Sequence, residues 1–202
     1  IFLSTGMATL QEINQAIKIL KNNKIKKSNI TVLHCTTEYP CPFEDVNLNA
    51  MLTLKEKFNV PVGYSDHTIG IEACLAAASI GALVIEKHFT LDKMAEGPDH
   101  ASSIEPYEIG ELVKGSRAIW EARGSEREIF PEELEIVAWA RESVVSESDI
   151  PKGAKITPGM VSVKRPSPGD GAIPAKYLDD VIGKTAVANI ERDKQILWEE
   201  LV

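Results

Sequence analysis

The 202-residue chain reads as a parallel α/β domain followed by a small β-rich one. Two features predict this. Short apolar runs beginning near residues 1, 30, 61 and 82 alternate with helical patterns, a βα repeat of the length expected for a doubly wound sheet or a barrel. From about Ala138 the pattern changes to β-like runs of three or four residues, separated by Gly/Pro-rich turns. The division that follows is residues 1–123, a linker at 124–138 marked by its charge and by Pro131, and a second domain at 139–202.

In order, Ile1-Phe-Leu-Ser4 is the tail of a strand with Ser4 at its end, and Gly6 makes the turn. Thr9-Leu-Gln-Glu12 is a capping box that opens a helix to about Asn22, with Ile13, Ile17 and Leu20 as its apolar stripe. Ile30 to Cys35 forms a second strand running into Thr36-Thr-Glu-Tyr-Pro40. Strand alternation puts Leu33, Cys35, Thr37 and Tyr39 on one face and leaves His34 on the other, a structural histidine facing the helices. A helix from about Asn47 to Phe58 precedes the third strand. A small-residue helix, roughly Gly70 to Ile80, joins the third and fourth strands as a βαβ crossover. After a long loop, Thr90 to Ser103, a helix from Pro106 to Arg123 carries Ile109, Leu112, Val113 and Ile119 on its apolar side. In the second domain, β-like runs start at Ser143, Lys155, Met160, Thr185 and Gln195, with a short helix at Pro174–Val181 and a turn at Pro166–Gly171.

Composition narrows the function classes. Hydrophobic content of 44% and charged content of 26% suit a soluble globular protein. The net charge of −8 argues against nucleic acid as a partner. No apolar run reaches membrane-spanning length, and Ile1-Phe-Leu-Ser-Thr-Gly6 has no basic n-region, so neither a membrane partner nor a signal peptide is expected. Cys35, Cys41 and Cys74 are odd in number and lack paired metal spacing, which fits reduced thiols in a cytoplasmic protein.

The chemistry is concentrated between Pro61 and Phe89. Gly63, Ser65 and His67 share one strand face, and Val84, Glu86 and His88 share one face of the next. If those faces point the same way, two imidazoles, a carboxylate and a hydroxyl converge at the ligand-binding ends of neighbouring parallel strands, the makings of a divalent-metal site. Either histidine alone reads as a turn cap or a core residue, but both at equivalent strand ends beside Glu86 read as a site. In the following loop, Asp99 or His100 is placed to close over it.

These residues resemble the sialic acid synthase family, the phosphoenolpyruvate-condensing enzymes that make N-acetylneuraminic, legionaminic and pseudaminic acids. The matching stretches are Leu3-Ser-Thr-Gly-Met7, Leu33-His-Cys-Thr-Thr-Glu-Tyr-Pro40, Gly63-Tyr-Ser-Asp-His-Thr68, Ile85-Glu-Lys-His-Phe-Thr90, Gly97-Pro-Asp99 and Lys164-Arg-Pro166. Their wording is nearest the sialic and legionaminic branches, with pseudaminic acid synthase as the alternative. The resemblance implies the C-terminal half of a (β/α)₈ TIM barrel followed by an antifreeze-like (SAF) domain of β-clip fold. It implies that His67 and His88 hold Mn²⁺, or another divalent ion such as Mg²⁺ or Co²⁺. It further implies that phosphoenolpyruvate and an N-acylated mannosamine-type sugar are the substrates. Ser4, Thr37 and Ser65 resemble phosphoenolpyruvate or substrate contacts, and Glu86, Asp99 and Tyr39 resemble sugar-side or acid/base positions. Arg165 resembles the arginine that the SAF domain of the opposite subunit inserts in a domain-swapped homodimer, and Trp139 an aromatic residue lining that pocket. Thr37 departs from an asparagine of the family, and the stretch after Arg165 is longer than the usual turn. The family's barrel has eight βα units, of which this chain supplies the last four, so turnover by the 202 residues alone is not expected. A non-catalytic sugar-binding or dimerisation module is the competing class.

Overall fold

The computed structural model describes residues 1–167 and 171–202, so the Pro168-Gly-Asp170 centre of the expected turn lies outside the described residues. The chain divides into two units, Ile1–Ser125 and Glu126–Val202.

The first unit is a four-stranded parallel sheet in sequential order: β1 (Phe2–Ser4), β2 (Thr31–Cys35), β3 (Val62–Asp66) and β4 (Ile85–Lys87). Helices α1 (Leu10–Asn22), α2 (Asn49–Phe58) and α3 (Glu72–Ser79) make the connections, and α4 (Pro106–Ala122) follows β4. Ordered parallel strands joined by helices are the repeat of a (β/α)₈ barrel. Four such strands make the C-terminal half of one.

Local chemistry fixes the boundaries. The Glu12 carboxylate accepts from the Thr9 N–H at 2.8 Å while the Glu12 N–H donates to the Thr9 hydroxyl at 3.3 Å, the reciprocal cap expected at the start of α1. Asn59 stops α2 in a left-handed conformation, φ +50°. The small residues of α3 let it settle close on the sheet, where Cys74 and Ala77 are fully buried. One apolar layer of Ile13, Ile17, Ile30, Val32, Met51, Leu54 and Val62 fills the space between helices and sheet. Each large side chain buried there contributes about 1.5–3 kcal/mol. His34 lies in this layer, buried, with Nε2 2.7 Å from the Val46 carbonyl and its ring stacked on Tyr64. Along α4, Leu112 is buried but Val113 is 45% exposed, so the apolar side of that helix is narrower than its sequence pattern suggests.

The sheet also depends on one absent side chain. A Cβ on Gly63 would lie 2.5 Å from both Leu33 Cδ2 and the Val84 carbonyl oxygen, so only glycine lets β3 sit between β2 and β4 at this level.

The second unit opens with a helix where a linker was expected, α5 (Pro131–Ala140). Charge and a single proline suggested a break, but Pro131 takes the first helical position, where its fixed φ and missing N–H cost nothing. The Phe130 N–H donates to the Glu133 carboxylate at 2.9 Å and completes the start. Beyond α5, β5 (Ser143–Ser146) pairs antiparallel with β6 (Val161–Lys164). Isolated bridges at Lys155–Thr185, Val145–Gln195, Ala172–Leu197 and Ala186–Leu201 use the other predicted β-runs. The helix α6 (Leu178–Val181) follows a single 3₁₀ turn from Ala175. Val144, Ile150, Ile156, Ile173, Val181 and Ile196 form a separate core for this unit.

Candidate active site

Both histidines emerge at the carboxyl ends of neighbouring strands, as the sequence pattern requires. Ser65 pairs in register with Glu86, and Asp66 with Lys87, so His67 and His88 follow at matching heights. Their ring centroids are 5.3 Å apart with planes at 67°. Two imidazoles sharing one ion keep their centroids within about 6.5 Å, given metal–nitrogen distances near 2.1 Å. The pair therefore fits a common cation by separation.

His67 is the better fixed of the two. It is buried, its carbonyl accepts from the Cys41 N–H at 2.9 Å, and its Nδ1 lies 2.7 Å from the Thr36 carbonyl oxygen. A carbonyl only accepts, so Nδ1 carries the proton and Nε2 presents a lone pair, the tautomer a metal ligand needs. His88 is more open, its side chain 38% exposed, with Nδ1 4.0 Å from Asp99 Oδ2. Asp99 reaches this position because the loop after β4 returns to its own strand: the Ile104 N–H donates to the His88 carbonyl and the Thr90 N–H to Ile104. His100 Nδ1 meets the Thr90 hydroxyl at 2.8 Å.

Tyr39 completes the cluster, its ring 4.0 Å from His67 and 5.7 Å from His88. Partial burial, and then the Cys35, Asp99 and Glu86 groups nearby, raise its phenol above the ordinary value. Tyr39 thus stays protonated at neutral pH and able to donate. The convergence of hydroxyl, carboxylate and imidazoles takes a different form from the one expected. Glu86 accepts from the Ser65 hydroxyl at 2.7 Å, and among the described residues no group of three or more His, Cys, Asp or Glu side chains is arranged to hold an ion. The two histidines are close enough to share an ion as a pair.

Ser4 and Thr37 are exposed at the carboxyl ends of β1 and β2, without a hydrogen bond to the histidine cluster among the described residues. Gly6 packs directly on the Thr37 hydroxyl, leaving no room for a Cβ. Arg165 and Trp139 belong to the second unit. There Trp139 is 58% exposed on α5, and Arg165 lines a cleft of about 680 Å³ with Arg141 and Lys176.

Sequence reasoning passed over three contributors. The Thr36 carbonyl sets the His67 tautomer, which no side-chain pattern reveals. Cys35, whose Sγ is 3.9 Å from His67 Nδ1, had been placed on the correct face but given no role. The third is the Asp66–Lys87 ion pair at 2.8 Å, with side chains 0% and 3% exposed. Its signal was present, since each member precedes a candidate histidine. An apolar groove of about 690 Å³ between β4 and α4 lies elsewhere, lined by Leu83, Phe89, Val113 and Trp120 but by no histidine.

Comparison with known proteins addresses the fold and the family. Residues 1–128 match the NeuB family and residues 141–202 the SAF domain. The chain is 47% identical to an N,N'-diacetyllegionaminic acid synthase of Campylobacter jejuni, over 97% of this chain and 58% of that protein. It is 40% identical to the synthase of the same name from Legionella pneumophila, over 100% of this chain and 56% of that protein. A crystal structure of N-acetylneuraminic acid (sialic acid) synthetase from Leptospira borgpetersenii, solved with citrate, superposes with a TM-score of 0.61 at 41% identity. That match covers 67% of this chain and 47% of the synthetase. The chain spans less than two thirds of the length of these relatives. With a parallel half-barrel matched over residues 1–128 and a SAF domain over residues 141–202, the chain belongs to the NeuB family.

Proposed function

We propose that this chain supplies the C-terminal half of the active site of a nonulosonic acid synthase, which condenses phosphoenolpyruvate with an open-chain N-acetylmannosamine-type sugar. The observation that carries the reading is the meeting of His67, His88 and Tyr39 over the strand ends of a NeuB-family half-barrel. In the reaction, C3 of phosphoenolpyruvate bonds to the aldehyde carbon, water adds at C2, and the C–O bond to phosphate breaks. His67 and His88 would hold a divalent ion, Mn²⁺ in this proposal, which would supply Lewis-acid polarisation of the aldehyde oxygen.

The chain's own residues bind and orient. His67 Nε2 is held as a lone-pair donor by the Thr36 carbonyl. Tyr39, kept neutral, donates to the developing negative charge. Glu86, oriented by Ser65, and Asp99, beside His88, accept from sugar hydroxyls or move a proton. Ser4, Thr37 and Ser65 contact phosphoenolpyruvate. Arg165 enters from the SAF domain of a second subunit in a domain-swapped homodimer and meets the sugar's N-acyl group, and Trp139 lines that pocket. Of the candidate sugars, the 2,4-diacetamido type is favoured by the 47% identity to a legionaminic acid synthase.

The competing class, a non-catalytic binding or dimerisation module, draws on the absence of a three-ligand group among the described residues. Titration of the 202-residue chain with Mn²⁺ separates the two. Stoichiometric binding abolished by His67→Ala and by His88→Ala supports the synthase reading. Sugar affinity that survives both substitutions, without metal binding, supports the module. Turnover is assigned to the barrel with both halves present, and condensation by the chain alone would contradict that assignment.

A further inference from the structure

We propose that Asp66 and Lys87 are positioning residues, a buried tie between β3 and β4 that aims His67 and His88 at each other. The inference rests on the reading of those histidines as a metal pair. Asp66 and Lys87 are direct register partners, and their Oδ2 and Nζ atoms lie 2.8 Å apart with both side chains sealed from solvent. Side chains alternate along a strand, so a tie on the helix side of residues 66 and 87 sends residues 67 and 88 to the other side at equal height. The pair also holds the residue after His67. The Thr68 N–H donates to Asp66 Oδ1 at 2.9 Å, the Thr68 hydroxyl donates to Oδ2 at 3.0 Å, and Lys87 Nζ donates to the Thr68 carbonyl. His67 is thereby bracketed, with a tied strand residue before it and a residue bound at both backbone groups after it.

The remaining Asp66 partners point the same way. The Tyr64 hydroxyl donates to Oδ1 at 2.8 Å and the Cys74 thiol to Oδ2 at 3.2 Å, so the carboxylate is anchored to α3 as well as to β4. A buried ion pair is seldom a better stabiliser than apolar residues of the same size. What it supplies in their place is direction, because hydrogen bonds fix angles that apolar contacts leave free. No other buried ion pair occurs among the described residues, and this one lies next to both histidines.

The test uses the full 202-residue chain with two readouts: Mn²⁺ alone, followed by electron paramagnetic resonance, and the imidazole ¹⁵N spectrum at pH 8. In the wild type, His67 shows the Nδ1–H tautomer. Lys87→Met leaves Asp66 its tyrosine, threonine and cysteine donors and should still unfold cooperatively. It should lower Mn²⁺ affinity about 10–100-fold and mix the His67 tautomers, while Lys87→Arg, which keeps charge and donors, recovers most of the affinity. Unchanged affinity and an unmixed tautomer in a folded Lys87→Met chain overturn the proposal. Should that variant not fold, hydrogen exchange in the wild type decides: Thr68 amide protection at the level of global unfolding supports the tie, and loop-like exchange overturns it. Wild-type Mn²⁺ binding that is absent, or indifferent to His67→Ala, sinks the metal reading instead. The tautomer and exchange readouts need no metal and still judge the tie.

Discussion

The two faces of β3 and β4 show what one residue of offset does. Asp66 and Lys87 point to the helices, are sealed from water, and satisfy each other and their neighbours completely. His67 and His88, the next residue on each strand, point the other way, where Glu86 and Tyr39 are exposed and His88 is half open. One face spends its polar groups on each other, while the opposite face, beyond the Ser65–Glu86 hydrogen bond and the Thr36 contact of His67, leaves Tyr39, Glu86 and His88 accessible. Inside the helix-side layer, burial lifts the Cys74 thiol and the Tyr64 phenol far above their ordinary values, so both remain donors. Burial would also raise Asp66, but the hydrogen bond from Lys87, the Thr68 N–H and the Lys87 charge outweigh it and hold the carboxylate ionised. A charged group survives at zero exposure because its partners were folded in with it.

Removing one partner should therefore produce the largest change. Asp66→Ala leaves the Lys87 ammonium buried and unpaired and orphans the Tyr64 hydroxyl and the Thr68 N–H. A loss of about 3–5 kcal/mol in urea unfolding is expected. His67→Ala, on the opposite face one residue away, should cost about 1–2 kcal/mol while abolishing Mn²⁺ binding, since its main structural bond is the one to Thr36. Equal destabilisation by both would erase the distinction between the faces. Gly63→Ala probes the spacing that lets the faces exist. With Leu33 and the Val84 carbonyl 2.5 Å from the new Cβ, about 1–3 kcal/mol should be lost, and a neutral result would mean that the strands part easily.

Much of this was legible in the sequence because it depends on period and spacing. A two-residue period put Ser65 and His67 on one face and His34 on the other, and the Thr9–Glu12 cap and the Ala-rich crossover each encode a local geometry. What escaped depends on contacts that periodicity does not carry. The Thr36 carbonyl that fixes the His67 tautomer is backbone, invisible in a side-chain pattern. Asp66 was given no role because its partner lies 21 positions away, and only the β3–β4 register makes them neighbours. The helix α5 was read as linker because charged residues and Pro131 suggest a break, although a proline at the first helical turn is a start signal. The roles given to Arg165 and Trp139 came from resemblance, and local geometry places both in the second unit.

The smallest predicted effect concerns the loop that carries Asp99 to His88. Lys93, within that loop, pairs with Glu108 on α4 at 2.5 Å, with side chains 28% and 12% exposed. Partial burial alone would raise the Glu108 carboxyl, but the Glu105 N–H and the Lys93 ammonium override it and hold it below the ordinary carboxylate value. A group whose folded pKa is depressed contributes stability that is fully present above its unfolded value, about 4.3, and is lost as pH falls through the folded one. The urea midpoint should therefore decline between about pH 5 and pH 3, and Glu108→Gln should flatten that decline. At pH 7 the same variant should lose about 0.5–1 kcal/mol, the range for a partly screened pair. Because the amide oxygen of the introduced glutamine can still accept from the Glu105 N–H, the helix start survives and the change falls on the loop. Amide exchange between Thr90 and Ser103 should quicken in Glu108→Gln while α4 keeps its protection. Equal loosening of both would show that Lys93 and Glu108 support the helix alone and have no part in placing Asp99.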